Sequence, residues 1–208
     1  LKTMTPQIFL DEVLAQLNLK HLIIGDDFRF GAQRAGDFEL LKNWGKTNGT
    51  KVIANRTVSR NGLRVSSTRI REALLQSDFV LAKELLGRPY TFSGKVVYGQ
   101  RLGRTIGVPT ANLWIPKQRL PIAGVYAVKC LLAGESFNGI ANMGIRPTVD
   151  GSKPVLEIHL FNFNESIYGQ RLTVEFKNKL RDEKKFDNID LLKEQILQDI
   201  SQAKKILE

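Results

Sequence analysis

The segment from Gly94 to Asn112, GKVVYGQRLGRTIGVPTAN, contains residue types suited to binding an anion. Its four glycines are interspersed with the cations Lys95, Arg101 and Arg104. Glycines let a backbone approach a ligand closely, and backbone N–H groups beside cations can form a cradle for phosphate. A Walker A loop is excluded, because no Gly-Lys-Ser/Thr follows and the next residues, 113–116, have a strand pattern. A flexible hairpin loop explains the glycines equally well.

The same segment ends with two side-chain oxygens, those of Thr110 and Asn112 in the sequence Pro-Thr-Ala-Asn. Residues two apart in a strand point to the same face, so these oxygens would lie together. Hard oxygen ligands of this kind suit Mg²⁺ beside phosphates. The alternative is that Thr and Asn near a turn hydrogen-bond the backbone, and spacing alone favours it.

The first 86 residues alternate between helix and strand patterns, which indicates an α/β sheet. The elements predicted there are a helix beginning at Thr5-Pro6, buried parallel strands at 21–24 and 52–54, a helix over 37–44, a hairpin turn at Asn61-Gly62, and two helices capped by Ser66-Ser67 and Asp78. Only two central strands are visible, so the pattern is typical of the second half of a domain.

The pattern changes at Gly87-Arg88-Pro89, where helical periodicity gives way to strand alternation. Strands are predicted at 125–132, 137–143, 155–163 and 172–176, with glycines in the turns between them. A helix capped near Asp187 or Asn188 ends the chain, with Leu192, Ile196, Ile200 and Leu207 facing inward. We therefore predict domains at 1–86 and 87–208, the second a six-stranded antiparallel barrel with a C-terminal helix.

The motif GQRLGRTIGVPTAN resembles the riboflavin kinase family closely. The resemblance continues, in the same order, through GVYAV (124–128), GIANMGIRPT (139–148), LEIHLFNF (156–163), IYGQRLTVEF (167–176) and LRDEKKF (180–186). It covers essentially everything from Gly87 onward. It implies a kinase that transfers the γ-phosphoryl group of ATP to the 5′-hydroxyl of riboflavin, making FMN.

The resemblance also implies roles for individual residues. Thr110 and Asn112 would hold Mg²⁺ and the phosphates, and the loop over the nucleotide would include Gly94, Lys95, Arg104 and Gly107. Glu157 would be the base, since its strand carries Leu156, Ile158 and Leu160 on one face and Glu157 with His159 on the other. Arg181, Glu183 and Phe186 would line the flavin side. The alternatives are an ordinary exposed strand residue for Glu157, a structural role for His159 and charge pairing in a loop for Arg181 and Glu183.

Two earlier motifs, GDDFRFG (25–31) and SSTRIREAL (66–74), resemble the adenylyltransferase module of bacterial bifunctional riboflavin kinase/FAD synthetases. The resemblance implies a partial Rossmann-like nucleotidyltransferase whose site residues are Asp27, Phe28, Ser66, Ser67, Thr68 and Arg71. Hydroxyls, an arginine and helix amides converge there on a place where an anion can bind. The family's upstream motif, paired His around a Gly, is absent, so we expect FAD synthesis only from the full-length protein.

Composition limits the function classes. The chain has 31 Lys and Arg against 21 Asp and Glu, a net charge of +10, which suits anionic partners. One cysteine, Cys130, excludes an intramolecular disulfide, and with only two His a structural zinc site is a poor fit. No apolar run reaches the length of a membrane span. We expect a cytoplasmic protein with small-molecule substrates and neither nucleic acid nor membrane as partner, and its oligomeric state stays open.

Two other functions remain open at this point. A basic RNA-binding barrel would carry aromatic side chains stacked along an exposed strand face. A non-catalytic flavin carrier would bind FMN without turning over ATP. A shift in melting temperature with flavin or with Mg-nucleotide would discriminate between the three.

Overall fold

The computed structural model describes residues 3–60, 62–99, 102–115, 120–148 and 151–208, and the chain divides into two compact units, residues 1–65 and 66–208. Asn61, Arg101 and Pro116, for which the sequence predicted a turn, an anion cradle and a strand, lie outside the described residues. The helices are α1 (Pro6–Phe9), α2 (Phe38–Thr47), α3 (Ser67–Leu75), α4 (Phe79–Leu86), α5 (Leu102–Thr105) and α6 (Ile189–Leu207). The strands are β1 (His21–Gly25), β2 (Lys51–Asn55), β3 (Ser59–Arg60), β4 (Leu63–Arg64), β5 (Thr91–Val97), β6 (Ala111–Leu113), β7 (Gly124–Leu132), β8 (Glu135–Thr148), β9 (Gly151–Leu160) and β10 (Arg171–Arg181).

The first unit contains the predicted parallel pair of strands, β1 and β2. Between them, α2 has Asp37 as its N-cap, and the Asp37 carboxylate accepts a hydrogen bond from the backbone N–H of Leu40 at 2.9 Å. Leu41 and Trp44 on α2 pack with Leu10 in the core of this unit. The α/β interpretation of this part is confirmed. Its first helix is less regular than expected, because α1 continues into a π-helical segment, Leu10–Leu14, and a 3₁₀ turn, Ala15–Leu17.

The second unit contains the predicted barrel, a closed set of six antiparallel strands in the order β10-β5-β6-β9-β8-β7. Apolar and polar residues alternate along β9, which lets the barrel form around an apolar core. Leu156, Ile158 and Leu160 are buried in that core, and the residues between them point outward. β9 ends at Leu160 and not at Phe163 as expected, because Asn162 has a left-handed φ of 53°.

Helices α3 and α4 belong to this second unit. Ala73, Leu74, Phe79 and Ala82 are buried in the same core as the barrel's interior side chains. The Tyr126 hydroxyl of β7 also lies 3.4 Å from that of Ser77, which follows α3. The compact units thus divide between Val65 and Ser66, upstream of Gly87, and the domain boundary at Gly87 stays a prediction.

The C-terminal helix α6 packs on the outside of the barrel. Asn188 is its N-cap, as one of the two predicted caps, and accepts a hydrogen bond from the backbone N–H of Leu191 at 2.9 Å. Its inward face, including Ile196, Ile200 and Leu207, packs against Ala127, Ile140 and Phe161 of the barrel. A face of the barrel that would otherwise meet solvent is therefore covered.

Candidate active site

A row of directly paired residues runs around the outer face of the barrel. Asn112 on β6 pairs with Glu157 on β9, and Glu157 pairs with Asn142 on β8. The row continues through Val125 on β7 to Arg181 on β10. Directly opposed residues on neighbouring strands point to the same face. The predicted base therefore shares a face with a predicted metal ligand and a predicted flavin contact.

A cavity of about 170 Å³ lies over this row, between the barrel strands and α6; we call it the main cavity. Its polar lining includes Thr110, Asn142, Glu157, Arg181 and Glu183. The apolar part of the lining comes from both the barrel and α6 and includes Val125, Ile140, Phe186, Leu192 and Ile196. A mostly apolar hollow with a few convergent polar groups is the usual form of a small-molecule site.

The glycine-rich loop closes on itself before it reaches β6. The backbone N–H of Val108 donates to the Gly103 carbonyl at 2.8 Å, and a Cβ at position 103 would clash with the backbone oxygen of Val108. Gly107 has a φ of +81°, which favours glycine. Within this segment, Leu102–Thr105 form the short helix α5, where the sequence predicted a loop. Residues 102–110 thus form a defined structure that places Thr110 in the cavity wall.

His159 fixes the exit of this loop. Its Nδ1 lies 2.8 Å from the carbonyl oxygen of Pro109. A carbonyl only accepts hydrogen bonds, so Nδ1 carries the proton and donates it. Burial lowers the pKa of His159 because desolvation disfavours the charged imidazolium, with the hydrogen bond to Pro109 acting in the opposite direction. The residue next to Pro109 is Thr110, so β9 carries both Glu157 and the group that holds the loop beside it.

A second cavity, of about 80 Å³, lies on the other side of Thr110. Arg104, Thr110, Glu165 and Tyr168 are among the residues that line it. Thr110 is thus shared by both cavities. A group bound in one cavity and a group bound in the other could meet at this residue.

Arg181 is held from behind by α6. Its guanidinium donates to both carboxylate oxygens of Asp199, from Nε at 3.0 Å to each and from Nη2 at 2.8 Å to Oδ2. Asp199 is only 2% exposed and also accepts a hydrogen bond from Gln195. The other side of the guanidinium faces Phe186, whose ring centroid is 5.8 Å from Cζ. Arg181 thus forms an ion pair with Asp199 and also lines the main cavity.

The structure brings most of the predicted kinase residues together. Thr110, Glu157, Arg181, Glu183 and Phe186 all line the main cavity. Asn112 is 7% exposed and is the direct neighbour of Glu157, and Arg104 lines the second cavity. Three lie apart: Gly94 and Lys95, which are on β5, and Gly107 are not among the described residues that line either cavity.

Sequence reasoning did not single out Asn142 or Asp199. Asn142 lies in the motif GIANMGIRPT, and in the structure it pairs with Glu157 on the neighbouring strand. Strand alternation along the motif could have placed its side chain on the same face of the barrel as Glu157. Asp199 lies on the inward side of α6 between Ile196 and Ile200, and a charged residue in that position is a signal for a buried partner.

The predicted adenylyltransferase residues lie in different units. In the first unit, Asp27 forms an ion pair with Arg64, which lowers the pKa of that carboxyl mainly through the hydrogen bond, and Phe28 stacks on Phe30 at 5.9 Å. In the second unit, Ser66 caps α3 by accepting from the backbone N–H of Arg69 at 3.3 Å. Ser67, Thr68 and Arg71 follow in the first turns of that helix.

The described residues contain neither a candidate metal-binding cluster of acidic, His and Cys side chains nor a membrane-spanning helix. Among them, no group of three or more His, Cys, Asp and Glu side chains could hold a metal ion. The helices found in the same residues are all too short or too polar to cross a membrane.

Comparison with known proteins gives family matches along the chain. The riboflavin kinase family model matches residues 86–207, and the FAD synthetase family model matches residues 1–69. A bifunctional riboflavin kinase/FMN adenylyltransferase of Haemophilus influenzae is 50% identical over 199 residues, and that of Pseudomonas fluorescens is 45% identical over 208 residues. These alignments cover 95% and 99% of this chain. The chain spans 65% and 67% of the length of those relatives.

One solved structure is similar over most of the chain. The crystal structure described as a macrolide-efflux protein from Streptococcus pneumoniae matches with a TM-score of 0.71 and 35% sequence identity. The match covers 95% of this chain and 64% of that one.

Proposed function

This chain belongs to the riboflavin kinase family, and on that premise we propose that its barrel transfers the γ-phosphoryl group of ATP to the 5′-hydroxyl of riboflavin. The products are FMN and ADP. One observation supports this proposal above the others: the predicted base, a predicted phosphate contact and all three predicted flavin contacts line one cavity on the outer face of the barrel.

In this proposal, the glycine-rich loop and the start of β6 bind the nucleotide. Thr110 and Asn112 offer two neutral oxygens, and Asn112 is the direct neighbour of the Glu157 carboxylate. This donor set fits Mg²⁺, which prefers oxygen and is usually bound by one or two carboxylates together with substrate phosphates and water. When bound, the ion neutralises charge on the phosphates. Arg104 at the second cavity supplies further positive charge toward the nucleotide.

The proton acceptor in this proposal is Glu157. The 5′-oxygen of riboflavin forms a bond to the γ-phosphorus, the bond from that phosphorus to the β–γ bridging oxygen breaks, and ADP leaves. The hydroxyl proton passes to the Glu157 carboxylate. Transfer of this kind depends mainly on alignment and charge stabilisation, so a positioned carboxylate beside the phosphate contacts is the arrangement required.

The flavin side of the cavity consists of Arg181, Glu183 and Phe186. Asp199 occupies the edge of the Arg181 guanidinium that could otherwise bind a carboxylate of another group. We therefore assign the guanidinium the role of orienting the Phe186 ring, which it faces. An aromatic ring held in this way offers a flat face to an isoalloxazine system. The carboxylate of Glu183 lies against the backbone of Gly144 at the rim.

The chain spans about two thirds of the length of its bifunctional relatives. A whole protein of that kind would in addition adenylylate FMN to FAD. Residues 1–86 would belong to that module and residues 87–208 to the kinase module. The resemblance would make Asp27 and Phe28 of the first unit, and Ser66, Ser67, Thr68 and Arg71 of the second, its contacts in this chain. The backbone amides in the first turn of α3 support an anion-binding role for the second group.

The test is to incubate the chain with riboflavin, ATP and Mg²⁺ and to identify the flavin products by chromatography. We expect FMN, one ADP for each FMN, and no FMN when ATP is omitted. Tight binding of flavin with no FMN would replace the proposal by a non-catalytic flavin carrier. No flavin binding at all, measured by quenching of flavin fluorescence, would remove both.

A further inference from the structure

The carboxamide of Asn142 is a polar group of the main cavity that the proposed mechanism leaves unused. Its Oδ1 is shielded from solvent and accepts no hydrogen bond from the described residues. Nevertheless Asn142 is one of the residues that line the cavity. A buried acceptor without a donor costs about 1–3 kcal/mol, so its presence in a cavity wall calls for a partner.

A ligand in the cavity can supply that partner once the carboxamide turns its oxygen toward the cavity. The last torsion of an Asn side chain is soft, and rotation about it exchanges the oxygen and the amide nitrogen. Either end of the carboxamide can therefore be turned to the cavity. A hydroxyl group suits both ends, because it donates one hydrogen bond and accepts others.

The place of Asn142 in the barrel indicates which hydroxyl this is. Asn142 is the direct cross-strand partner of Glu157, and the side chains of such pairs have Cβ atoms about 4.5–5.5 Å apart. Its other neighbour, Val125, is apolar and lines the same cavity, as does Ile140 two residues earlier on β8. Among these wall residues, the carboxamide is thus the hydrogen-bonding group placed beside the predicted base.

We propose that the Asn142 carboxamide hydrogen-bonds the ribityl hydroxyl next to the one that is phosphorylated, and so selects for a polyol chain in the substrate. This inference rests on the proposed riboflavin kinase activity. Two hydroxyls on neighbouring carbon atoms would meet two neighbouring side chains, the reacting one at Glu157 and the adjacent one at Asn142. Asn142 is then a specificity-determining residue.

The experiment compares riboflavin with 4′-deoxyriboflavin, which lacks the hydroxyl in question, in the wild-type chain and in Asn142→Leu. Leu has a similar volume and cannot hydrogen-bond. A site built to bind a hydroxyl discriminates against the analogue that lacks it, so we expect the wild type to prefer riboflavin by about tenfold or more in kcat/KM. In Asn142→Leu we expect that preference to fall to about twofold or less, with the KM for ATP unchanged.

The control is Ile140→Val, which trims the wall of the same cavity from the same strand and keeps the carboxamide. We expect it to retain the preference for riboflavin. If Asn142→Leu fails to fold by circular dichroism, Asn142→Ala, which is smaller, replaces it in the same comparison. An unchanged preference in the variant, or no preference in the wild type, overturns this inference. Absence of FMN from wild type and riboflavin overturns instead the proposed function, so the two failures are distinguishable.

Discussion

Replacing Asp199 by Ala removes the carboxylate that fastens α6 to the end of β10. Three hydrogen bonds from Arg181 and one from Gln195 lose their acceptor at once. The Arg181 side chain is only 14% exposed, so its charge is left with little access to water. Its remaining hydrogen bond, from Nη1 to the carbonyl of Asp182 at 2.9 Å, is too weak to replace a carboxylate.

Removing one partner of a buried ion pair costs about 3–5 kcal/mol, because the other charge stays buried without compensation. In a protein of this size, each kcal/mol lowers Tm by about 2–4 °C, so we expect a fall of roughly 6–20 °C. Replacing both Arg181 and Asp199 by Leu leaves no buried charge without a partner. Such replacements are often neutral or stabilising, so the double variant Arg181→Leu/Asp199→Leu should recover most of the loss.

Differential scanning calorimetry of the transition of the barrel unit measures both effects. The matched control is Glu194→Ala, an exposed carboxylate on the same helix, for which we expect a change within about 0.5 kcal/mol. If Asp199→Ala loses less than about 1 kcal/mol, the pair behaves like a surface salt bridge and the reasoning is wrong. A double variant less stable than Asp199→Ala contradicts the account in a second way.

Three further predictions concern the loop, the imidazole and the thiol. Thr110→Ala and Asn112→Ala should raise the Mg²⁺ and ATP concentrations needed for turnover and leave riboflavin affinity within about twofold, and normal turnover of both at limiting Mg²⁺ would remove their assigned role. The lowered pKa of His159 favours the neutral form in the folded state, so the stability it contributes is present above about pH 6.5 and is lost as pH falls through the lowered pKa. His159→Asn can keep the donor to Pro109 but cannot titrate, and its Tm should therefore fall less than that of the wild type between about pH 7.5 and pH 5.5; equal falls would contradict this. Burial raises the pKa of Cys130 to about 12, so a thiol reagent at neutral pH should label it only in denaturant, and rapid labelling of the folded chain would show that the barrel core opens.

The barrel could be predicted from the sequence because its strands alternate strictly. Leu156, Ile158 and Leu160 alternate with Glu157 and His159, and a period of two fixes both the element and its faces. The same alternation placed Glu157 on the face opposite these apolar residues, and in the structure that face is the outer one. It could not show that the outer side is where the cavity lies, because that depends on α6 packing against it.

The details that sequence reasoning missed come from contacts between distant residues. Nothing local in the sequence connects Arg181 with Asp199, which is 18 residues away and on another element. Helices α3 and α4 were predicted with the first 86 residues, since helical periodicity does not show which core a helix joins. Phe79 and Ala82 complete the barrel core through packing, which only the folded chain reveals.

The most direct test of the central claim is the rate of phosphoryl transfer in a single turnover. The measurement follows label from [γ-³²P]ATP into flavin for the wild type, for Glu157→Gln and for Glu135→Gln, an exposed carboxylate at the start of β8. Gln keeps the shape of the side chain but cannot take the proton, so Glu157→Gln should transfer label about a hundredfold more slowly, while Glu135→Gln matches the wild type. Label transfer by Glu157→Gln at the wild-type rate would show that Glu157 is not the base, and label that never enters flavin would contradict the kinase function itself.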